Sequence, residues 1–320
     1  MTGLFPHDPV ERGIFDLLVQ RCAAMAPSPG RHATGINRLH LIRYDASHDY
    51  VSFILQPSIC FYIQGICEND LASVHCIVYS RSYSIIGAQL PIQTRIIVQP
   101  GRSFLALVLN FDLEIVKALC AMAPRPPINL RIDKSGLSFG SISVELSLLL
   151  LDLLDCQYEC DTDLGLIPPA FLNLYRFFLA LPQGELLWRL AATGMTDVTQ
   201  SITWLNDRYR DDVSVSNLAA VADMPLTSYH RHFKALTSLS PLQYIKLIRL
   251  FEARRLMLFY GKTATQSCLE VGYESASQFN REYKRFFRQP PHKDVRYTLR
   301  YNAPIHQPLR LNHPYLSNRR

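Results

Sequence analysis

The sequence predicts an α+β protein, with a strand-rich N-terminal region accompanied by helices and an all-helical C-terminal domain. Three features predict it. Between residues 38 and 110, short β-prone runs alternate with turn residues. From residue 113 onward, apolar residues recur at helical spacing. Near the C terminus one helix-turn-helix pattern is written twice, the second copy 50 residues after the first.

In chain order, Val10, Ile14, Leu17, Leu18, Cys22 and Met25 mark one face of a helix over 10–25, which stops at the breakers Pro27, Pro29 and Gly30. Strands are predicted over 50–55, 59–63, 74–79, 83–86, 94–98 and 104–109, with Gln64-Gly65, Gly87 and Pro100-Gly101 as turns. Short strands at even spacing imply an antiparallel sandwich or barrel. Helices are predicted over 113–122, 141–156, 168–181 and 185–192. In the second of these, Leu146, Leu149, Leu150, Leu153 and Leu154 cover a wider arc than one amphipathic face needs. The surplus either packs on the protein's own strands or meets a second subunit in a homodimer. The break around Gly194 separates an N-terminal domain, 1–196 (β-rich over 38–110, helical over 113–193), from a C-terminal domain over 197–296. Residues 297–320, with Pro304, Pro308 and Pro314, read as an irregular tail.

Hydrophobic residues make up 48% of the 320, enough for packed cores and too many for disorder. The richest apolar run, 146–154, is interrupted by Asp152, so no membrane partner is expected. The start lacks a basic region followed by an apolar core, and the chain reads as cytoplasmic. None of the eight cysteines forms a CxxC pair; Cys156 and Cys160, four apart, read as free thiols in a reducing compartment. Charge is split along the chain. Residues 225–300 hold 14 Lys and Arg against 5 Asp and Glu, a net +9, whereas residues 1–224 carry −6. Only the C-terminal part is suited to a polyanion.

The repeat specifies what that part offers. In the first copy Val215, Leu218, Ala219 and Ala222 form one helix face behind the N-cap candidate Ser214, and Asp223-Met224-Pro225 makes a turn. The next helix is expected to bury Leu226, Tyr229, Phe233 and Leu236 and to expose Thr227, His230, Arg231 and Lys234. In the second copy Cys268, Leu269 and Val271 precede the turn Gly272-Tyr273-Glu274-Ser275. Its second helix is expected to bury Phe279, Tyr283 and Phe286 and to expose Ser277, Asn280, Arg281 and Lys284. Such a face suits a major groove: arginine donates two parallel bonds to guanine, short hydroxyls and amides reach other base edges, and lysine holds phosphate. Between the copies, 241–259 is apolar nearly all round and reads as one buried helix fixing the two units.

These residues resemble the C-terminal DNA-binding domain of the AraC/XylS family of bacterial transcription regulators. The resemblance rests on Arg231-His232-Phe233-Lys234, Ser240-Pro241-Leu242-Gln243-Tyr244, Arg249-Leu250-Phe251-Glu252-Ala253-Arg254, Val271-Gly272-Tyr273-Glu274-Ser275 and Ser277-Gln278-Phe279, continuing to Arg281-Glu282-Tyr283-Lys284-Arg285 and Pro290-Pro291. It implies a regulator of transcription initiation bound to double-stranded DNA. Thr227, His230 and Arg231, with Ser277, Gln278, Asn280 and Arg281, would read bases, while Lys234, Lys284 and Arg285 would hold phosphate. The family's glycine after each second helix is Ser238 and Arg288 here, a departure that bears on the helix ends. Gln56-Pro57-Ser58-Ile59-Cys60-Phe61-Tyr62-Ile63-Gln64-Gly65 and Leu90-Pro91-Ile92 resemble one class of AraC-type N-terminal domains. That resemblance implies a cupin-like antiparallel barrel that binds a small-molecule effector or mediates dimerisation. An activator of this family would also contact RNA polymerase.

Three other readings are weighed. A binder of nucleic acid without sequence preference needs only the positive charge. Gly136-Leu137-Ser138-Phe139-Gly140 matches the nucleophile elbow of a serine hydrolase, which requires a strand before Ser138 and a helix after it. A metal-binding barrel would draw on His40, His48 and His75. Neither catalysis, cofactor nor metal is expected.

Overall fold

The computed structural model describes residues 9–71, 74–122, 136–156, 169–191 and 195–301. Helix α1 (Pro9–Met25) leads into strands β1 (Gly30–Ala33), β2 (Leu39–Tyr44), β3 (His48–Leu55), β4 (Ser58–Gln64), β5 (Ile66–Leu71), β6 (Val74–Tyr79), β7 (Ser82–Ile86), β8 (Leu90–Ile97) and β9 (Phe104–Asn110). Then come α2 (Leu113–Met122), β10 (Leu137–Ser141), α3 (Val144–Asp155), α4 (Pro169–Ala180) and α5 (Glu185–Ala191). The remaining described chain is helical: α6 (Met195–Arg208), α7 (Val215–Val221), α8 (Leu226–Thr237), α9 (Pro241–Tyr260), α10 (Ala264–Glu270), α11 (Ala276–Phe287) and α12 (Pro291–Tyr301). The α+β class and the order of strands before helices agree with the sequence.

The strands form two antiparallel sheets, one in the order β1-β2-β9-β4-β7-β10 and one in the order β3-β8-β5-β6. Among the described residues no hydrogen-bonded ladder joins them, so the N-terminal region is an open two-sheet structure rather than the closed barrel the resemblance implies. The near-continuous apolar sequences of β4 and β9 have a direct cause: the larger sheet is covered on both faces. Alternate residues Phe104 and Ala106 join Tyr62, Cys67, Val78 and Ile96 between the sheets. Their neighbours Leu105, Leu107 and Leu109 join Phe61 and Ile63 beneath the helices.

The leucine-rich α3 belongs to that helical cover. Leu146, Leu150, Leu153 and Leu154 are fully buried, Leu149 packs partly buried against them, and only Leu148 stands out at 50% exposure. The surplus apolar arc is thus absorbed by the protein's own core.

Ser138 lies within β10, its second residue, paired with Ile85 of β7, and 9% exposed. A nucleophile elbow places its serine on the sharp turn between strand and helix, so the hydrolase reading is corrected. Residues 128–132, where the strand required before it would fall, lie outside the described residues, as do Cys160 and the boundary residue Gly194. The histidines weighed as ligands serve separately. His40 Nδ1 is 3.2 Å from Arg31, and His75 pairs with Asp70 at 2.9 Å. His48 stacks edge-on to Tyr44. Burial, with the positive charge of Arg31, pushes His40 down to about 4. Among the described residues no helix is long and apolar enough to cross a membrane.

Candidate nucleic-acid interface

Local sequence builds two matching units. Ser214 caps α7 and Thr263 caps α10; each accepts from the third following amide while Asn217 or Gln266 returns the bond, a reciprocal cap that satisfies two otherwise orphaned donors. Ser240 and Gln243 do the same for α9. The first helices of the two units are related by a shift of 49 residues and the second helices by 50. The turn of the second unit is therefore one residue longer; each turn opens on a left-handed residue, Asp223 (φ 47°) in the first unit and Gly272 (φ +86°) in the second. A side chain there would place its Cβ 2.5 Å from the carbonyl oxygen of Arg210. Arg249 ties the same turn down by donating to the carbonyls of Gly272, Tyr209 and Asp211 at 2.7–2.9 Å. Gly272→Ala is expected to cost at least about 1–2 kcal/mol, the left-handed strain alone, read as a lowered urea midpoint.

Both second helices stand on aromatic cores. Tyr229 and Phe233 meet at 5.5 Å, and Phe233 meets Tyr244 of α9 at 5.4 Å. Their counterparts Phe279 and Tyr283 meet at 5.5 Å, and Tyr283 meets Phe287 at 4.4 Å. The structure corrects some expected burial. Leu226 is 46% exposed, Leu242 56% and Leu269 64%, while Phe287 rather than Phe286 completes the second core. Helix periodicity carries Leu226 and Leu242, in the first turns of α8 and α9, past the edge of the packed face.

The missing glycines leave the helix ends unchanged. Ser238 (φ 61°) and Arg288 (φ 64°) both adopt the left-handed cap. Holding a side chain in that conformation costs roughly 1–2 kcal/mol. Ser238→Gly and Arg288→Gly are therefore expected to raise stability by about 1 kcal/mol each, read as a higher urea midpoint.

On the opposite faces, Thr227, His230, Arg231 and Lys234 of α8 are all exposed, as are Ser277, Gln278, Asn280, Arg281, Lys284 and Arg285 of α11. Thr227, Arg231 and Lys234 follow one line along α8; Ser277, Arg281 and Lys284 follow the same line along α11. Two of the ten are engaged elsewhere. Gln278 donates to Glu282 at 3.3 Å, and Glu282 also holds Lys246 of α9 at 2.7 Å and accepts from the Tyr273 hydroxyl at 2.8 Å. Arg285 lines a cleft of about 850 Å³ between the smaller sheet and helices α9, α11 and α12. Asp49, Asp70 and Gln93 form one wall; Lys246, Arg285 and Arg288 stand on the other. Sequence reasoning missed this cleft because its walls are more than 150 residues apart in the chain.

The two regions touch beside the cleft. The Tyr244 hydroxyl donates to the carbonyl of Gln89 at 2.8 Å, and Asn206 donates to the Gln89 side chain. Gly136 sits so close to the carbonyl of Leu236 in α8 that it leaves no room for a Cβ. The last described helix, α12, runs past residue 296, where the sequence reading ended the domain, and carries the chain to Tyr301.

Two protein-family models match the chain: the N-terminus of AraC-type transcriptional regulators over residues 35–190, and a helix-turn-helix domain over residues 218–296. Among curated proteins it is similar to the HTH-type transcriptional activator RhaS of Citrobacter koseri, 25% identical over 173 residues, 53% of this chain and 58% of that protein. RhaS of Salmonella paratyphi B is 27% identical over 135 residues, 41% of this chain and 48% of that protein. The chain thus spans about half the length of the curated relatives it matches. Among solved structures, ToxT from Vibrio cholerae with an unsaturated fatty acid bound aligns with 81% of this chain and 95% of that one, at 12% identity and a TM-score of 0.47. The DNA-binding domain of AdpA in complex with target DNA aligns with 33% of this chain and 96% of that one, at 22% identity and a TM-score of 0.32.

Proposed function

Since the chain belongs to the AraC/XylS family of transcription regulators, we propose that it controls transcription initiation by reading DNA with α8 and α11 in successive major grooves, about 34 Å apart. The observation that carries this reading is the pair of matched faces: two helices on equivalent aromatic cores, each presenting a hydroxyl, an arginine and a lysine on one line. Among the described residues Lys234, Arg281 and Lys284 hold no ion pair within the protein. Thr227, His230, Arg231, Ser277, Asn280 and Arg281 are the base-reading candidates; Gln278, tethered to Glu282, would read a base only by leaving it. Lys234 and Lys284 would hold phosphate.

Selection of bound sequences from a random duplex pool by the full-length chain tests the reading. A defined motif with two half-sites one helical turn apart is the expected result. Equal binding of all duplexes, falling with salt, would show a non-specific binder instead. Lys234→Ala or Lys284→Ala should weaken every duplex alike and flatten the salt dependence by about one unit of slope.

The cleft supports a place for a small-molecule effector, because a ligand there would touch both the N-terminal sheet and the second reading helix. Self-association would double the reading helices per complex, but it has to use a surface other than the leucines of α3. An activating role would add contact with RNA polymerase.

A further inference from the structure

Helix α12 stands to the second unit as α9 stands to the first: Pro241 and Pro291, each the first residue of its helix, are separated by the same 50 residues as α8 and α11. Through Leu247, Leu250 and Phe251, α9 turns an apolar flank into the core shared with the second unit. At the corresponding positions α12 has Tyr297, Arg300 and Tyr301, and among the described residues no third unit packs against it. Its inner side is anchored instead by Asp294 and Thr298, both bonded to Arg254. Its outer side carries His292, Lys293, Arg296 and Arg300, all exposed. The spacing i, i+3 and i+7 puts Lys293, Arg296 and Arg300 on one face. The only acid in the helix, Asp294, is turned inward and held by Arg254 and the Tyr283 hydroxyl. Residues 302–320 add three arginines and no acid to the sequence. A helix that carries four basic or titratable residues on its exposed side, and keeps its one acid turned inward, suits an anionic partner.

We propose that the Lys293–Arg296–Arg300 face of α12 is a third DNA contact, one that holds backbone phosphates flanking the two reading helices and carries no base preference. It rests on α8 and α11 being the readers. Each phosphate neutralised by a lysine or arginine releases condensed counterions, so each such contact steepens the dependence of log affinity on log salt by about 0.9.

The test uses the full-length chain on a selected duplex with long flanks, titrated across a range of salt concentrations. K293Q/R296Q/R300Q is expected to flatten the slope by about 2–3 while leaving the selected motif unchanged, and each single variant by about 0.9. Trimming the flanks of the duplex should abolish the difference between wild type and triple variant. These side chains face solvent, so the triple variant should keep the wild-type circular dichroism spectrum. A wild-type slope in the folded triple variant, with selective binding intact, overturns this proposal and leaves the reading helices standing. A wild-type slope combined with lost binding to vesicles containing anionic lipid would make a membrane surface the partner and equally overturn it. Failure of the wild-type chain to select any duplex would overturn both readings together.

Discussion

Arg254→Ala should destabilise the C-terminal domain by about 3–5 kcal/mol, the usual cost of stranding one partner of a buried ion pair. Arg254 lies two-thirds of the way along α9 and is nearly inaccessible, its side chain 6% exposed and that of Asp294 12%. It donates to both oxygens of Asp294, at 2.7 and 3.1 Å, to Thr298 at 2.9 Å and, more distantly, to Ser52 of β3. The guanidinium also lies 5.2 Å from the centroid of Phe287. Tyr283 completes the group: burial, reinforced by the charge of Asp294, holds its hydroxyl far above the usual phenol range, so it donates to that carboxylate at 2.7 Å. One side chain thus joins the linking helix, the second reading helix and α12. Removing it leaves a carboxylate in a site with little water. Replacing Asp294 by Asn, which keeps shape and one acceptor, should cost less than Arg254→Ala. Urea denaturation followed by near-ultraviolet absorbance of the tyrosines measures both; a loss below about 1 kcal/mol for Arg254→Ala would show that water reaches the pair and relieves the charge.

The largest effect on DNA is expected from Arg231→Ala combined with Arg281→Ala. A bidentate arginine–guanine pair contributes about 1–3 kcal/mol of discrimination. The two residues sit in different units on different helices, so their losses should add to about 2–6 kcal/mol. Each single variant should relax the preference at one position of one half-site, and the double variant at one position in each. Binding of a mutated duplex library by wild-type and variant protein reads this directly. Equal loss on every duplex from Arg281→Ala would reassign that arginine to phosphate. Neither side chain touches the aromatic cores, so the folding midpoint should stay within about 0.5 kcal/mol of wild type.

Much of the C-terminal domain was legible because its signals are local. Apolar spacing marked α8 to α11, Ser214 marked the start of the first unit, and duplication made each copy a check on the other. The exposed line of arginine and lysine followed from helix geometry alone. Less was legible among the strands. Strand β5 was missed because Glu68, Asn69 and Asp70 are poor strand formers. Pairing with β6 and β8 overrides that preference, and buried Asn69 accepts from Thr94 at 2.8 Å. Strand β10 was missed for a similar reason: its glycine and serines form a strand only because β7 offers an open edge.

By itself, then, the sequence determined two capped helix-turn-helix units, the chemistry of the faces they expose, and which part of the chain can approach a polyanion. These depend on spacing of three to four residues and on charge, neither of which needs a distant partner. Only the tertiary structure decided that the two sheets stay open, that the leucines of α3 face inward, that Arg254 finds Asp294, and that Arg285 belongs to a cleft as well as to a reading helix. Each of those outcomes is fixed by residues tens to hundreds of positions away, whose approach is set by packing and cannot be read from local periodicity.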